Sequence, residues 1–227
     1  NQIISTDKEI EEKKIKKLFK NICNEVSCCT FEEAELIKLF SNAWRYVKFA
    51  ISNEFYVMCR DKNLEYKKIH KIMKKNYPRN FGLPTQGFAA GPCLPKDAVQ
   101  LYLSNKMGSK LIKTAHNINE NLPNYFVNNL KKQLNIKGKN IGILGTTFKS
   151  NIDDERDSLS IKLKMLLQKN GAYVYCNDPH VKNKNYLSIN RIKKKCKIIF
   201  IATPHKKYKN VKLKNNIVID CWDYIKN

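Results

Sequence analysis

The sequence predicts an α/β protein in which a helical part is followed by an open-sheet α/β domain. Three observations predict it. Residues 31–60 contain neither Gly nor Pro and repeat apolar residues at helical spacing. Residues 76–92, NYPRNFGLPTQGFAAGP, form a loop dense in Gly and Pro. From residue 140 the pattern changes to short apolar runs that end in polar loops and alternate with an amphipathic segment.

Taken in order, residues 7–22 place Ile10, Ile15, Leu18, Phe19 and Ile22 at helical spacing among lysines. VSCCT then reads as a short strand or extended link. Thr30 is an N-cap, and Glu33 three residues on completes a capping box. The long helix that follows carries Leu36, Leu39, Phe40, Ala43, Val47, Ala50 and Ile51. A second helix is expected over roughly 64–76. A third helical segment spans roughly 95–132, with Gly108 and Pro123 as interruptions. NIGILGTTF (140–148) is an apolar strand running into a turn, and SLSIKLKMLLQKNG is a helix closed by Gly171. AYVYCNDPHV, CKIIFIATPH and NNIVIDCW are three more strands, so the chain divides near residue 137.

In open α/β sheets ligands sit beyond the carboxyl ends of the strands, which here carry GTTFKSN, NDPH, ATPH and DCW. Gly142 and Gly145 are spaced GxxG. That falls short of the G-x-G-x-x-G that lets a pyrophosphate approach a helix N-terminus, so a phosphate or nucleotide site fits better than a dinucleotide site.

The net charge is +23. The lysines come in short groups along the whole chain and outnumber the arginines, and no stretch interleaves arginine with aromatics as a single-strand-binding surface does. A solvated surface that attracts phosphorylated ligands is expected, and no nucleic-acid partner. No apolar run reaches membrane-spanning length, and no signal-peptide pattern opens the chain. The eight cysteines show no CxxC pair and no Cys/His zinc spacing. No metal is expected, and reduced thiols in a cytoplasmic protein are. The first residue is Asn, not Met, which reads as a cut inside a longer protein.

Lys38 and Asn42 are four apart and share one helix face. Cys93 stands in GFAAGPCLPKD, followed by Lys96 and Asp97. Each alone also reads as ordinary packing or solvated surface. Together they supply a nucleophile, oxyanion donors and a carboxylate, the set that thiol chemistry on a carbonyl needs.

AELIKLFSNAWRYVKFAISNE, GFAAGPCLPKD and GILGTTFKSNIDDERDS…GAYVYCNDP occur in that order. They closely resemble the UDP-glucose/GDP-mannose dehydrogenase family, NAD-dependent enzymes that oxidise a nucleotide sugar at C6 to a uronic acid. The resemblance implies residues 1–30 as the end of an N-terminal NAD-binding domain. It implies 31–136 as an all-helical central dimerisation domain and 137–227 as a Rossmann-like, open parallel-sheet C-terminal domain for the nucleotide sugar.

The same resemblance makes Cys93 the residue that forms the thiohemiacetal and thioester. Lys38 and Asn42 become oxyanion and acid–base residues, and Asp97 positions Lys38 and the hydrolytic water, beside Lys96. Lys149 is implied to contact the phosphates or sugar, and Phe88 and Gly91 belong to the loop close to the sugar. Arg156 is implied to reach the cofactor and the cysteine, and Arg79 to be donated across a homodimer. The family's G-x-G-x-x-G loop is absent, so this piece alone is expected to bind NAD poorly and to be inactive. Relatives often carry two glycines before the cysteine region where this chain has FAAGPC, leaving a UDP- or GDP-linked hexose open. The rival reading is a non-catalytic oligomerisation and nucleotide-binding module.

Overall fold

The computed structural model describes residues 2–6, 8–104 and 109–225. Residue 7, the side chain of Ile10 and the expected break at Gly108 lie outside the described residues. Contacts group the chain into two compact units, Asn1–Trp44 and Arg45–Asn227.

In the first unit β1 (Gln2–Ser5) and β2 (Val26–Cys29) pair in parallel, with Gln2 opposite Val26, and α1 (Glu9–Phe19) connects them. α2 (Phe31–Asp61) begins here. Its capping box is formed: Thr30 N–H donates to Glu33 Oε2 at 2.9 Å, and Glu33 N–H donates to Thr30 Oγ1 at 3.2 Å. Two of the donors that a helix start leaves unpaired are thereby satisfied.

The second unit holds the rest of α2, α3 (Tyr66–Lys74), α4 (Leu94–Ser104) and α5 (Lys110–Gln133). These precede β3 (Asn140–Leu144), α6 (Leu159–Lys169), β4 (Tyr173–Asn177), α7 (Ile189–Lys195), β5 (Ile198–Ile201) and β6 (Ile217–Asp220). β3 to β6 form one parallel sheet in the order β4-β3-β5-β6.

Both faces of its central strands are covered, which is why they read as unbroken apolar runs. On one face Ile141, Ile143 and Phe200 share a buried cluster with Phe126 of α5 and with Leu163 and Leu167 of α6. On the other, Leu144, Ile199 and Ile201 cluster with Ile192 of α7 and Tyr208. The alternation along β3 and β5 is the period of two that a strand imposes.

Two expectations are corrected. Pro123 does not interrupt its helix: α5 runs through it with the ring buried. A mid-helix proline forfeits one backbone hydrogen bond, and here burial of the ring in the core offsets that loss. The helix α7 is absent from the sequence-based expectation. Its seven residues are too few to display a helical repeat, although Ser188 caps it by accepting from Arg191 N–H at 3.4 Å.

Candidate active site and nucleotide-binding loops

The chain leaves β3 to form β4 on one side and later returns to form β5 on the other. The carboxyl ends of β3 and β5 therefore flank a topological switch point, the place where open α/β sheets bind ligands. Gly145 turns the chain out of β3 with φ +89° and lies against Thr203, where a side chain would meet backbone atoms. Only glycine fits both demands.

Beyond Gly145 a buried polar cluster ties three strand ends together. Asp178, after β4, accepts from Thr146 N–H at 2.8 Å and from His205 Nε2 at 2.9 Å through Oδ2. Its Oδ1 accepts from His180 N–H at 2.9 Å. Thr203 Oγ1 donates to the Thr147 carbonyl at 2.7 Å. Burial pushes the Asp178 carboxyl up, but the bonds from His205, Thr146 and His180 outweigh it and hold the pKa at about 2.

A carboxyl below its unfolded value near ~3.9 favours the fold only when ionised. Its contribution, about 2 kcal/mol, is complete above roughly pH 4 and lost as pH falls toward about 2. Urea melts across that window should show the wild-type chain losing more stability than Asp178→Asn. Equal losses would contradict the assignment.

The cysteine loop, residues 87–93, is pinned from two sides. Asn53 of α2 accepts from Gly87 N–H at 2.8 Å and donates to its carbonyl at 3.1 Å. On the other side Gly91 N–H donates to the Asp157 carbonyl at 3.2 Å. Gly91, at φ +98°, lies so close to Phe148 that a Cβ would fall 2.4 Å from the ring. The Trp222 ring packs onto Gly87 and is held by its own N–H to the Ala202 carbonyl at 2.9 Å. Cys93 emerges exposed at the start of α4, its carbonyl accepting the helix's first bond from Asp97 N–H at 2.9 Å. A helix start favours negative charge.

Arg156 lies beside this loop. Its guanidinium grips Asp154, with Nη2 donating to Oδ2 at 2.7 Å and Nε to Oδ1 at 3.1 Å. That pairing raises the Arg156 pKa, with Asp157 and Cys93 close enough to add to it. The same pairing lowers the Asp154 pKa.

The structure thus sets Arg156 next to Asp157, the residue whose carbonyl holds Gly91 on the loop that carries Cys93. Phe88, on the same loop, points into the core against Phe126, ring centroids 5.9 Å apart. Asp97 is fully buried, while Lys96 and Lys149 are not. Arg79 is exposed in the 3₁₀ turn Pro78–Asn80. Lys38 and Asn42 stand four apart on α2 in the first unit, Lys38 exposed and Asn42 half-buried. The sequence motifs do not single out Asp178, His205, Thr147 or Thr203. All four sit in the polar strand-end loops, and Thr147 and Asp178 also fall inside the quoted motifs without being assigned a role there.

Residues 32–121 match the central domain of the UDP-glucose/GDP-mannose dehydrogenase family, and residues 142–227 match its UDP binding domain. The chain belongs to this family. The UDP-N-acetyl-D-mannosamine dehydrogenase of Methanococcus maripaludis is 30% identical over 82% of this chain and 47% of its own length. The UDP-glucose 6-dehydrogenase of Rickettsia felis is 30% identical over 86% of this chain and 49% of its own. The solved UDP-D-ManNAc dehydrogenase of Pyrococcus horikoshii superposes with a TM-score of 0.87 at 26% identity, covering 99% of this chain and 56% of that one. The chain spans about half the length of the curated relatives it matches.

Members of the UDP-glucose/GDP-mannose dehydrogenase family use NAD, and the glycines described here do not form a cradle for its pyrophosphate. The space a Cβ would take at Gly142 is filled by Ile192, and at Gly145 by Thr203. The first unit contains no glycine at all. Among the described residues no helix is long and apolar enough to cross a membrane.

Proposed function

We propose that this chain is the cysteine-bearing, nucleotide-sugar-binding part of an NAD-dependent nucleotide-sugar 6-dehydrogenase whose substrate is a UDP-linked hexose. The observation that carries the reading is the Cys93 loop. An exposed thiol at a helix start is held on a backbone pinned between α2 and the loop after β3, where Arg156 adjoins the residue that bonds Gly91. A merely structural cysteine needs no such mounting.

In the proposed chemistry the Cys93 sulfur adds to the C6 aldehyde carbon. A C–S bond forms, the carbonyl π pair moves onto oxygen, and that oxygen takes a proton to give the thiohemiacetal. Lys38 and Asn42 are the proposed oxyanion donors, a role typically worth about 3 kcal/mol per donor. NAD, when bound, would supply the oxidations as a hydride acceptor, and no step of them is assigned to this chain's residues. At the thioester stage water adds to the carbonyl carbon, the C–S bond breaks, and the carboxylate leaves with the thiol restored. Asp97 is the proposed residue that positions Lys38 and that water, with Lys96 beside it. Lys149 binds the diphosphate, Gly91 stands in the loop near the sugar while Phe88 anchors that loop in the core and does not line the site, and Arg156 reaches toward the cofactor.

A homodimer is part of the proposal. Ile37, Trp44, Ile51 and Met58 recur seven apart along α2 and are all exposed, with Phe40 and Phe55 between them. A seven-residue apolar repeat on a long helix is the seam by which helices pair. Arg79 would then serve the neighbouring subunit's substrate. All eight cysteines are free thiols, in keeping with a cytoplasmic enzyme.

One sedimentation experiment reads binding and assembly together. UDP, followed by its absorbance, should travel with a two-chain species, and GDP should bind at least about tenfold more weakly. A monomer would remove the dimer, and equal or tighter GDP binding would remove the UDP assignment.

A further inference from the structure

One buried imidazole holds both ends of the loop that carries Lys149. At one end His205 Nε2 lies 3.2 Å from Thr147 Oγ1 as well as 2.9 Å from Asp178 Oδ2. At the other end the Asn151 backbone N–H donates to His205 Nδ1 at 2.9 Å. A nitrogen that accepts a backbone N–H carries no proton. The network therefore assigns the ring's N–H to Nε2, which donates to Asp178 and is shared with Thr147.

The Thr147 hydroxyl in turn donates to the Lys149 carbonyl at 2.9 Å. Asn151 has φ +61° and its side chain accepts from Lys206 N–H at 3.0 Å, fastening the far end to the segment after β5. Residues 147 to 151 thus form a short arch with Lys149 at its centre and His205 beneath both feet. His205 is 0% exposed and cannot touch a ligand. Whatever it contributes passes through the arch.

We propose that the Asp178–His205 pair is a positioning device that fixes the Lys149 arch for the diphosphate of the nucleotide sugar. The proposal rests on the reading of this region as the nucleotide site. It goes further in naming residues that never meet the substrate. An apolar side chain could fill the same space, but it could bond neither foot of the arch. An imidazole with a donor and an acceptor at opposite edges spans the arch in a way no apolar group can.

The test is calorimetric titration of the 227-residue chain with UDP, alongside thermal melts. Lys149→Ala and His205→Ala should each weaken UDP binding by about tenfold, and the double variant by no more than about twofold beyond Lys149→Ala, because both act through one contact. His205→Gln keeps an N–H for Asp178 and Thr147 and should restore affinity to within about threefold of wild type. Additive losses near a hundredfold, or wild-type affinity in a folded His205→Ala, would overturn the proposal.

If His205→Ala does not fold, Thr147→Val tests the same link. It removes the hydroxyl bonded to Lys149 with little change of shape and should cost about threefold or more in affinity. Wild-type affinity there would overturn the proposal too. A wild-type chain that binds no UDP would overturn both this proposal and the reading of the site, whereas failure of the positioning role alone leaves UDP binding intact.

Discussion

In the proposed nucleotide-sugar dehydrogenase, Cys93→Ser should bind the UDP-sugar normally yet form uronic acid at least about 10³-fold more slowly. The substitution changes one atom at an exposed position, so folding and the mounting of the loop by Asn53, Phe148 and Asp157 should survive. What is lost is the nucleophile. A serine hydroxyl is weak near neutral pH unless a base takes its proton, and its ester is a poorer acyl donor to water than a thioester. Product analysis under saturating substrate would read the effect directly. Acid formation at wild-type rates would remove Cys93 from the chemistry and reduce it to a loop residue.

The second large effect concerns the fold beneath the nucleotide loops. Gly145→Ala should destabilise the chain by about 3–4 kcal/mol, the sum of a side chain at positive φ and an overpacked contact. The new Cβ would sit 2.4 Å from Thr203 Cβ, 2.7 Å from its nitrogen and 2.8 Å from its carbonyl oxygen. Backbone atoms cannot swing aside as a flexible side chain can. Gly138 supplies the control: its φ is +71°, yet a Cβ there would meet nothing within 4 Å. Gly138→Ala should therefore cost only about 1 kcal/mol. Thermal melts of the two variants separate backbone strain from close packing. Equal shifts in Tm would mean that the approach to Thr203 is not what demands glycine at residue 145.

Much of this architecture is legible in the sequence because it is local. A 31-residue helix with its capping box written at Thr30 and Glu33 announces itself through periodicity. Buried parallel strands do so through unbroken apolar runs bounded by polar loops. Pro123 misleads because the rule for proline is local, while the packing that accommodates it comes from the tertiary core. α7 is silent because seven residues cannot show a period.

The site divides in the same way. Cys93, Lys38, Asn42 and Lys149 are named through the resemblance of their motifs. The arrangement that mounts the cysteine and lysine loops is not. His205 meets Asp178 and Thr147 across 27 and 58 residues of sequence, and nothing in a local pattern joins residues so far apart. Polar side chains in strand-end loops look alike until the sheet sets them side by side.

The central claim is that Cys93 is the nucleophile for the C6 carbonyl of a UDP-linked hexose. It is tested most directly by mixing this chain, without NAD, with a UDP-hexose 6-aldehyde labelled with ¹³C at C6 and recording the carbon spectrum. The expected result is a saturable thiohemiacetal signal that is absent from Cys93→Ser, while both proteins bind UDP alike. UDP bound with no such signal in the wild-type chain, or an adduct that persists in Cys93→Ser, would contradict the claim.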